Sequence, residues 1–166
     1  MKAYLNFVDK LNNIMKYIIS AFFIVLAILV VLQVITRFVI NYPLSWSEEI
    51  ARYLMIYIVF IGSGLAMRRQ QHIAIDFILE TVSPKNKRRL NIIILWICAV
   101  FFTVLCYFGL QLTLIVIGQA TPTLQFSMAW AYAAIPIGSL LMLLNVFALL
   151  IEFKTNRIAR VEGDAL

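Results

Sequence analysis

The segment Trp46-Ser-Glu48-Glu49-Ile-Ala-Arg52 sets two acids and an arginine at helical spacing directly ahead of an uncharged run from Tyr53 to Met67. Those fifteen uncharged residues reach about 22 Å as a helix, against a hydrocarbon core of roughly 30 Å. A spanning helix must therefore begin upstream, which draws Arg52, and with it Glu49, toward the membrane edge. An unpaired charge in the hydrocarbon costs on the order of 3 kcal/mol. Two readings fit. In one, Ser45-Trp-Ser-Glu48 is a capping box, Pro43 discourages an earlier start, and the acids pair with Arg52 at i, i+4 and i, i+3 in a dipole-favoured first turn. In the other, Glu48, Glu49, Arg52 and Arg37 converge as a polar cluster for a partner subunit.

His72 is the single histidine, just past Arg68-Arg69. A haem protein of this kind needs axial ligands inside its spans, and a metal site needs several ligands, so one histidine at a rim supplies neither. Its expected role is to cap a junction or to touch a partner. Ile61-Gly62-Ser63-Gly64 is not a nucleophile elbow, and no H-E-x-x-H is present. No catalytic, cofactor or metal residues are therefore expected, and the chain does not read as an enzyme. Gly62 and Ala66, like Ala134 and Gly138, form small-xxx-small pairs that let helices approach closely. Gln33, Gln111 and Asn145 read as hydrogen-bonding groups between helices.

The elements that position these residues are membrane spans. Of 166 residues, 63% are hydrophobic and 13% charged, and the mean hydropathy is +0.94, which excludes a soluble domain. The net charge of +6 reads as membrane topology rather than as a nucleic-acid surface. Cys98 and Cys106 lie about 12 Å apart on one helix, too far for a disulfide, and read as packing or lipid-facing residues. The uncharged run Tyr17–Thr36 spans once, and its length and lack of a cleavage site mark a retained helix rather than a signal peptide. No charge occurs between Leu90 and Ile151, which is room for two spans. Gly118, Gln119, Thr121, Pro122, Thr123 and Gln125 mark the turn between them, and Pro136 is a tolerated kink. The expected architecture is one all-α membrane domain, 1–166, with spans at about 17–38, 47–67, 90–117 and 129–153.

Twelve of the fourteen basic residues lie on one side of these spans, leaving Arg37 and Arg52 on the other. The positive-inside rule makes the basic side cytoplasmic, with both termini there. Two segments read as short in-plane amphipathic helices. One carries Phe7, Leu11 and Ile14 on its apolar face, and the other carries Ile73, Phe77 and Ile78 before Pro84.

In order along the chain, Arg37, Trp46, Glu48, Glu49, Ala51-Arg52, Phe60-x-Gly62, Arg68 and His72-Ile73 resemble the small membrane subunit, the Q-type component, of tripartite ATP-independent periplasmic (TRAP) transporters. Pro122-Thr123-Leu124 and Ile135-Pro136 extend the likeness over nearly the whole chain, while Tyr57 stands where the family often has tryptophan. The resemblance implies a scaffold in the bacterial inner membrane, bound to a large membrane subunit that carries the sodium and substrate sites. A periplasmic binding protein would deliver an organic anion, commonly a carboxylate. Membrane lipids complete the expected partners, with no nucleic acid and no cofactor on this chain. The partner interface is expected at Arg37, Trp46, Glu48, Glu49, Arg52, Gly62 and His72. A stand-alone small exporter needs an acid in its first span, which Tyr17–Thr36 lacks. It and a membrane assembly factor remain the alternatives.

Overall fold

The computed structural model describes residues 1–68 and 84–154. The described chain is helical: α1 (Lys2–Phe38), α2 (Ser45–Arg68), α3 (Pro84–Ile115), α4 (Ala129–Tyr132) and α5 (Ala134–Lys154). Four helical stretches are long and apolar enough to cross a membrane: α1, α2, Arg89–Ile115 of α3, and α4 with α5 as Ala129–Phe153. This is the all-α, four-span architecture expected from the apolar runs. The second in-plane segment, around residues 73–80, lies outside the described residues, as does His72.

The N-terminal amphipathic stretch is not a separate helix. It continues unbroken into the first span, giving a helix of 37 residues, about 55 Å long. No glycine or proline interrupts the chain before Phe38, so nothing in the backbone asks for a break. The buried face also differs from the expected one. Leu5, Val8 and Asn12 are buried, Leu11 is half-buried, and Phe7 and Ile14 are exposed. Leu5 and Val8 pack on Ala148 of α5, with Tyr4, Leu144 and Ile151 around them. Tyr4 and Asn12, two turns apart, both reach the Leu144–Asn145 level of α5. The first turns of α1 therefore cross α5 steeply.

Residues 39–44 turn the chain back. Asn41 takes a left-handed conformation at φ 54, which its short polar side chain tolerates better than most. The Tyr42 N–H donates to the Thr36 carbonyl at 3.0 Å and anchors the turn.

A proline sets the break between α4 and α5. Pro136 has no N–H to give the Tyr132 carbonyl, and the helix is interrupted at Ala133, between them. Gly109 of α3 fits beneath this break. A methyl group there would stand 2.8 Å from Ile135 Cγ2 and 3.2 Å from Pro136 Cδ, so only glycine admits the close approach.

The helices are not arranged as a bundle. α5 lies between α2 and α3, α1 packs along α2, and among the described residues the backbone of α3 approaches neither α1 nor α2 closely. The order across the array is α1, α2, α5, α3. Burial follows position: 56% of the apolar stretch around α5 is buried, against 6% for α1. Gly138 is a close point of the α2–α5 seam, where a methyl group would fall 2.6 Å from Phe60 Cβ and 2.9 Å from its carbonyl carbon. Ala134, one turn earlier, is fully buried. The expected small-residue pair of the last span is thus a packing surface. Toward the basic end, Met67, Leu95, Ala99, Val146 and Leu149 join α2, α3 and α5 in one apolar cluster, with Cys98 packed against it.

Candidate functional site

The charged groups of the described chain collect at the two ends of the array. At the end opposite the Arg68 cluster, α2 starts one residue before the expected capping box would allow. The Ser47 and Glu48 N–H groups donate to the Leu44 carbonyl at 3.1 and 3.4 Å, so Leu44 is the cap and Ser45 the first helical residue. The Ser47 hydroxyl also donates to that carbonyl at 2.8 Å. Glu48 and Ser45 are exposed, and the reciprocal capping bonds do not form.

Glu49 takes a different course from its neighbour. Its carboxylate is buried, at 6% exposure, and is fully occupied within the chain. Oε2 accepts the Thr123 N–H at 2.8 Å and the Leu124 N–H at 3.3 Å, and Oε1 accepts the Tyr53 hydroxyl at 2.8 Å. One helical turn of α2 thereby holds the hairpin that joins the third and fourth spans. That hairpin is tightly built. Ala120 and Ser127 pair across it, and Thr121 N–H donates to the Phe126 carbonyl at 2.6 Å. Gln125 turns left-handed at φ 58, and buried Thr121 accepts the Phe126 N–H through Oγ1 at 3.2 Å. Pro122, with no N–H of its own, leaves the next two N–H groups of Pro122-Thr123-Leu124 to the carboxylate.

Arg37, Trp46, Glu48 and Arg52 are exposed. Among the described residues the ion pairs are those of Arg68, and neither acid of α2 forms one with Arg52. The expected intrahelical pair is absent, and Arg37, Trp46, Glu48 and Arg52 each present an exposed side chain. Gly62 is not at this end of α2. It sits toward the other end and faces α1, where a methyl group would meet only Ile19 Cδ1 at 3.9 Å.

The basic end carries a second constellation that spacing arguments missed. Arg68 donates through Nη1 and Nη2 to the two oxygens of Glu152 at 2.7 and 2.8 Å, and through Nε to Asp9 at 2.9 Å. A single guanidinium thus ties α2 to both α1 and α5 in a fork geometry lysine cannot reproduce. Just inside it, buried Asn12 and Asn145 exchange hydrogen bonds at 2.6 and 2.9 Å, and Asn145 Nδ2 also donates to the Gly64 carbonyl at 2.8 Å. Asn145 is therefore the interhelical group it was expected to be. Gln111 instead bonds Tyr107 on its own helix at 3.0 Å, exposed. One signal for the Arg68 site was available. Arg68 and Glu152 are each the first charge after a long neutral run, and the two runs end on the same side.

Four apolar helices in a row that α1 closes against α5 at the basic end, with paired charge there and a clamped hairpin at the other end, define a membrane subunit built for packing. The family model for "Tripartite ATP-independent periplasmic transporters, DctQ component" matches residues 26–155, most of the chain. The chain belongs to this family: it is the small membrane component of a TRAP transporter, a multi-pass protein of the bacterial inner membrane and not an enzyme. It is 28% identical over 141 residues to the sialic acid TRAP transporter small permease protein SiaQ of Vibrio cholerae, covering 80% of this chain and 76% of that one. It is 29% identical over 153 residues to the ectoine small permease protein TeaB of Halomonas elongata, covering 90% and 79%. Against the sialic acid permease protein SiaT of Haemophilus influenzae the identity is 27% over 152 residues, 89% of this chain but only 24% of that protein. This chain thus spans about a quarter of the length of SiaT.

Proposed function

We propose that the chain is the static brace of a three-part importer. It holds a larger membrane subunit in place, and that subunit carries the substrate and the coupling sodium ions. A periplasmic binding protein delivers an organic acid to the assembly. The observation that carries this reading is the shape of the array. Past the basic end, where α1 crosses onto α5, the helices follow one another as a row, α1, α2, α5, α3, and no Asp, Glu, Lys or Arg lies within Tyr17–Thr36, Tyr53–Met67 or Leu90–Ile151. Secondary transporters place ionisable groups or broken helices around a mid-membrane site. The relation to SiaT supports a larger partner, because a similar segment occurs there within a longer permease chain. Sialic acid and ectoine, named for the relatives, both bear a carboxyl group, which supports the organic-acid class.

In this reading Arg37, Trp46, Glu48 and Arg52 form the outer contact surface toward the large subunit or the docked binding protein. Glu49 serves it from within by fixing the adjoining hairpin, and His72 is assigned to the contact at the basic end. Arg52→Ala should reduce co-purification with the large subunit severalfold at matched expression, with membrane insertion unchanged. Equal recovery of the complex by Arg52→Ala and the parent would remove the outer cluster from the interface.

The basic end is assigned to the cytoplasm with both termini. Cysteine labelling from outside should reach position 123 and not position 163. The reverse pattern would invert the orientation.

A further inference from the structure

Between α1 and α2, close to Arg68, lies a groove of about 430 Å³ lined by Asp9, Asn12, Asn13, Lys16, Gly62, Leu65, Ala66 and Arg68. Its chemistry is ordered along the helices. Gly62, Leu65 and Ala66 give it an apolar floor, kept open because residue 62 has no side chain. Lys16 and Asn13 stand beside that floor with no side-chain partner among the described residues. Asp9, two helical turns from Lys16, is 54% exposed and meets Arg68 through Oδ1 alone, so Oδ2 remains open. Arg68 and Asn12 are already engaged, with Glu152 and Asp9 and with Asn145 respectively.

We propose that this groove binds the zwitterionic headgroup of an aminophospholipid, with the phosphate on Lys16 and Asn13 and the headgroup ammonium on Asp9. This rests on the reading that the Arg68 end of the array lies at a membrane surface. Lys16 immediately precedes the uncharged run Tyr17–Thr36, and Arg68 immediately follows Tyr53–Met67. The groove therefore opens at the boundary between hydrocarbon and headgroups. A phospholipid presents its parts there in a fixed order: acyl chains, then phosphate, then ammonium. The groove sets a free cation and an amide alongside small and aliphatic residues, and beyond them, at the Arg68 level, a half-free carboxylate, so that phosphate and ammonium meet their partners in the same order. Lys16, held one to two turns inside the Arg68 level, can reach the phosphate by extending its stem along the groove. A purely anionic headgroup would meet the Asp9 carboxylate unfavourably. That is the basis for preferring an amine-bearing lipid.

The test is native mass spectrometry of the full chain in mild detergent. The probes are phosphatidylethanolamine, phosphatidylglycerol of matched acyl chains, and inorganic phosphate. The parent should retain phosphatidylethanolamine preferentially, and inorganic phosphate should not displace it, which separates a lipid site from a free-anion site. Lys16→Gln should lower retention about tenfold, the loss expected for one charge-assisted contact. Gly62→Leu, which fills the floor and alters no charge, should do the same, while Lys10→Gln, outside the groove, should leave retention unchanged. Asp9→Asn should erase the preference over phosphatidylglycerol. Monodisperse elution of each variant confirms that it is folded. Equal retention by the parent, Lys16→Gln and Gly62→Leu would overturn the proposal. So would equal binding of the two lipids by the parent, or displacement by phosphate.

Discussion

Glu49 shows how far a charged residue's surroundings can depart from its sequence neighbours. Helical spacing offers Arg52 as its partner, yet the carboxylate turns inward and accepts two backbone N–H groups from a hairpin more than seventy residues on. Spacing reveals neighbours on the same helix; it carries no information about backbone donors brought in by the fold. The position of Glu49 near the membrane edge was legible, and so was a turn around Pro122, but their union was not. The clamp is charge-assisted, so Glu49→Gln should weaken it while preserving the side chain's size. Its expected effect is faster thiol labelling at Thr123→Cys in the Glu49→Gln background, with unchanged insertion. Equal labelling rates would mean that the hairpin's own hydrogen bonds hold it without the carboxylate. Arg68 was legible as a span-ending cation, whereas its two acidic partners required the helix order across the array.

The helices divide into those whose limits follow from apolar runs and those shaped by a single residue. Uncharged stretches marked the spans: one of bilayer length for the first, a shorter one extended upstream for the second, and a single long run divided at Pro122 for the last two. The continuity of α1 was not legible. Amphipathic and fully apolar stretches differ in where they sit, not in whether the backbone between them bends. Its buried stripe was misjudged because α5 is almost wholly apolar, so Leu5 and Val8 pack on protein where a membrane surface was expected. Pro136 was legible as a kink, though not as the element that makes room for Gly109. Small residues were legible as a class, and the structure separates their roles. Gly138→Ala must push against the Phe60 backbone and should cost about 1–3 kcal/mol of stability. Gly62→Ala meets only the tip of Ile19 at 3.9 Å and should change stability by less than about 0.5 kcal/mol. Unfolding both variants in mixed detergent against the parent tests the difference, and equal costs would place the tight seam elsewhere.

Seen whole, the array concentrates burial in α5 and leaves its two broad faces apolar. Large exposed side chains such as Phe23, Ile24, Ile97, Val100 and Phe101 suit lipid or another membrane helix equally well. Specific recognition therefore falls to the ends, where charge, indole and the clamped hairpin lie. The family and the four spans were legible from ordered motifs and hydropathy. The row arrangement was not, because hydropathy reports that a helix is surrounded by apolar matter without saying whether that matter is lipid or protein.

The central claim is that the chain braces a transporter and conducts nothing itself. Uptake of a labelled organic acid into liposomes under an inward sodium gradient tests it most directly. The comparison is this chain alone against this chain with the large subunit, each given the loaded binding protein. The brace reading predicts background uptake for the chain alone and gradient-dependent uptake for the pair. Gradient-dependent uptake by the chain alone would contradict it.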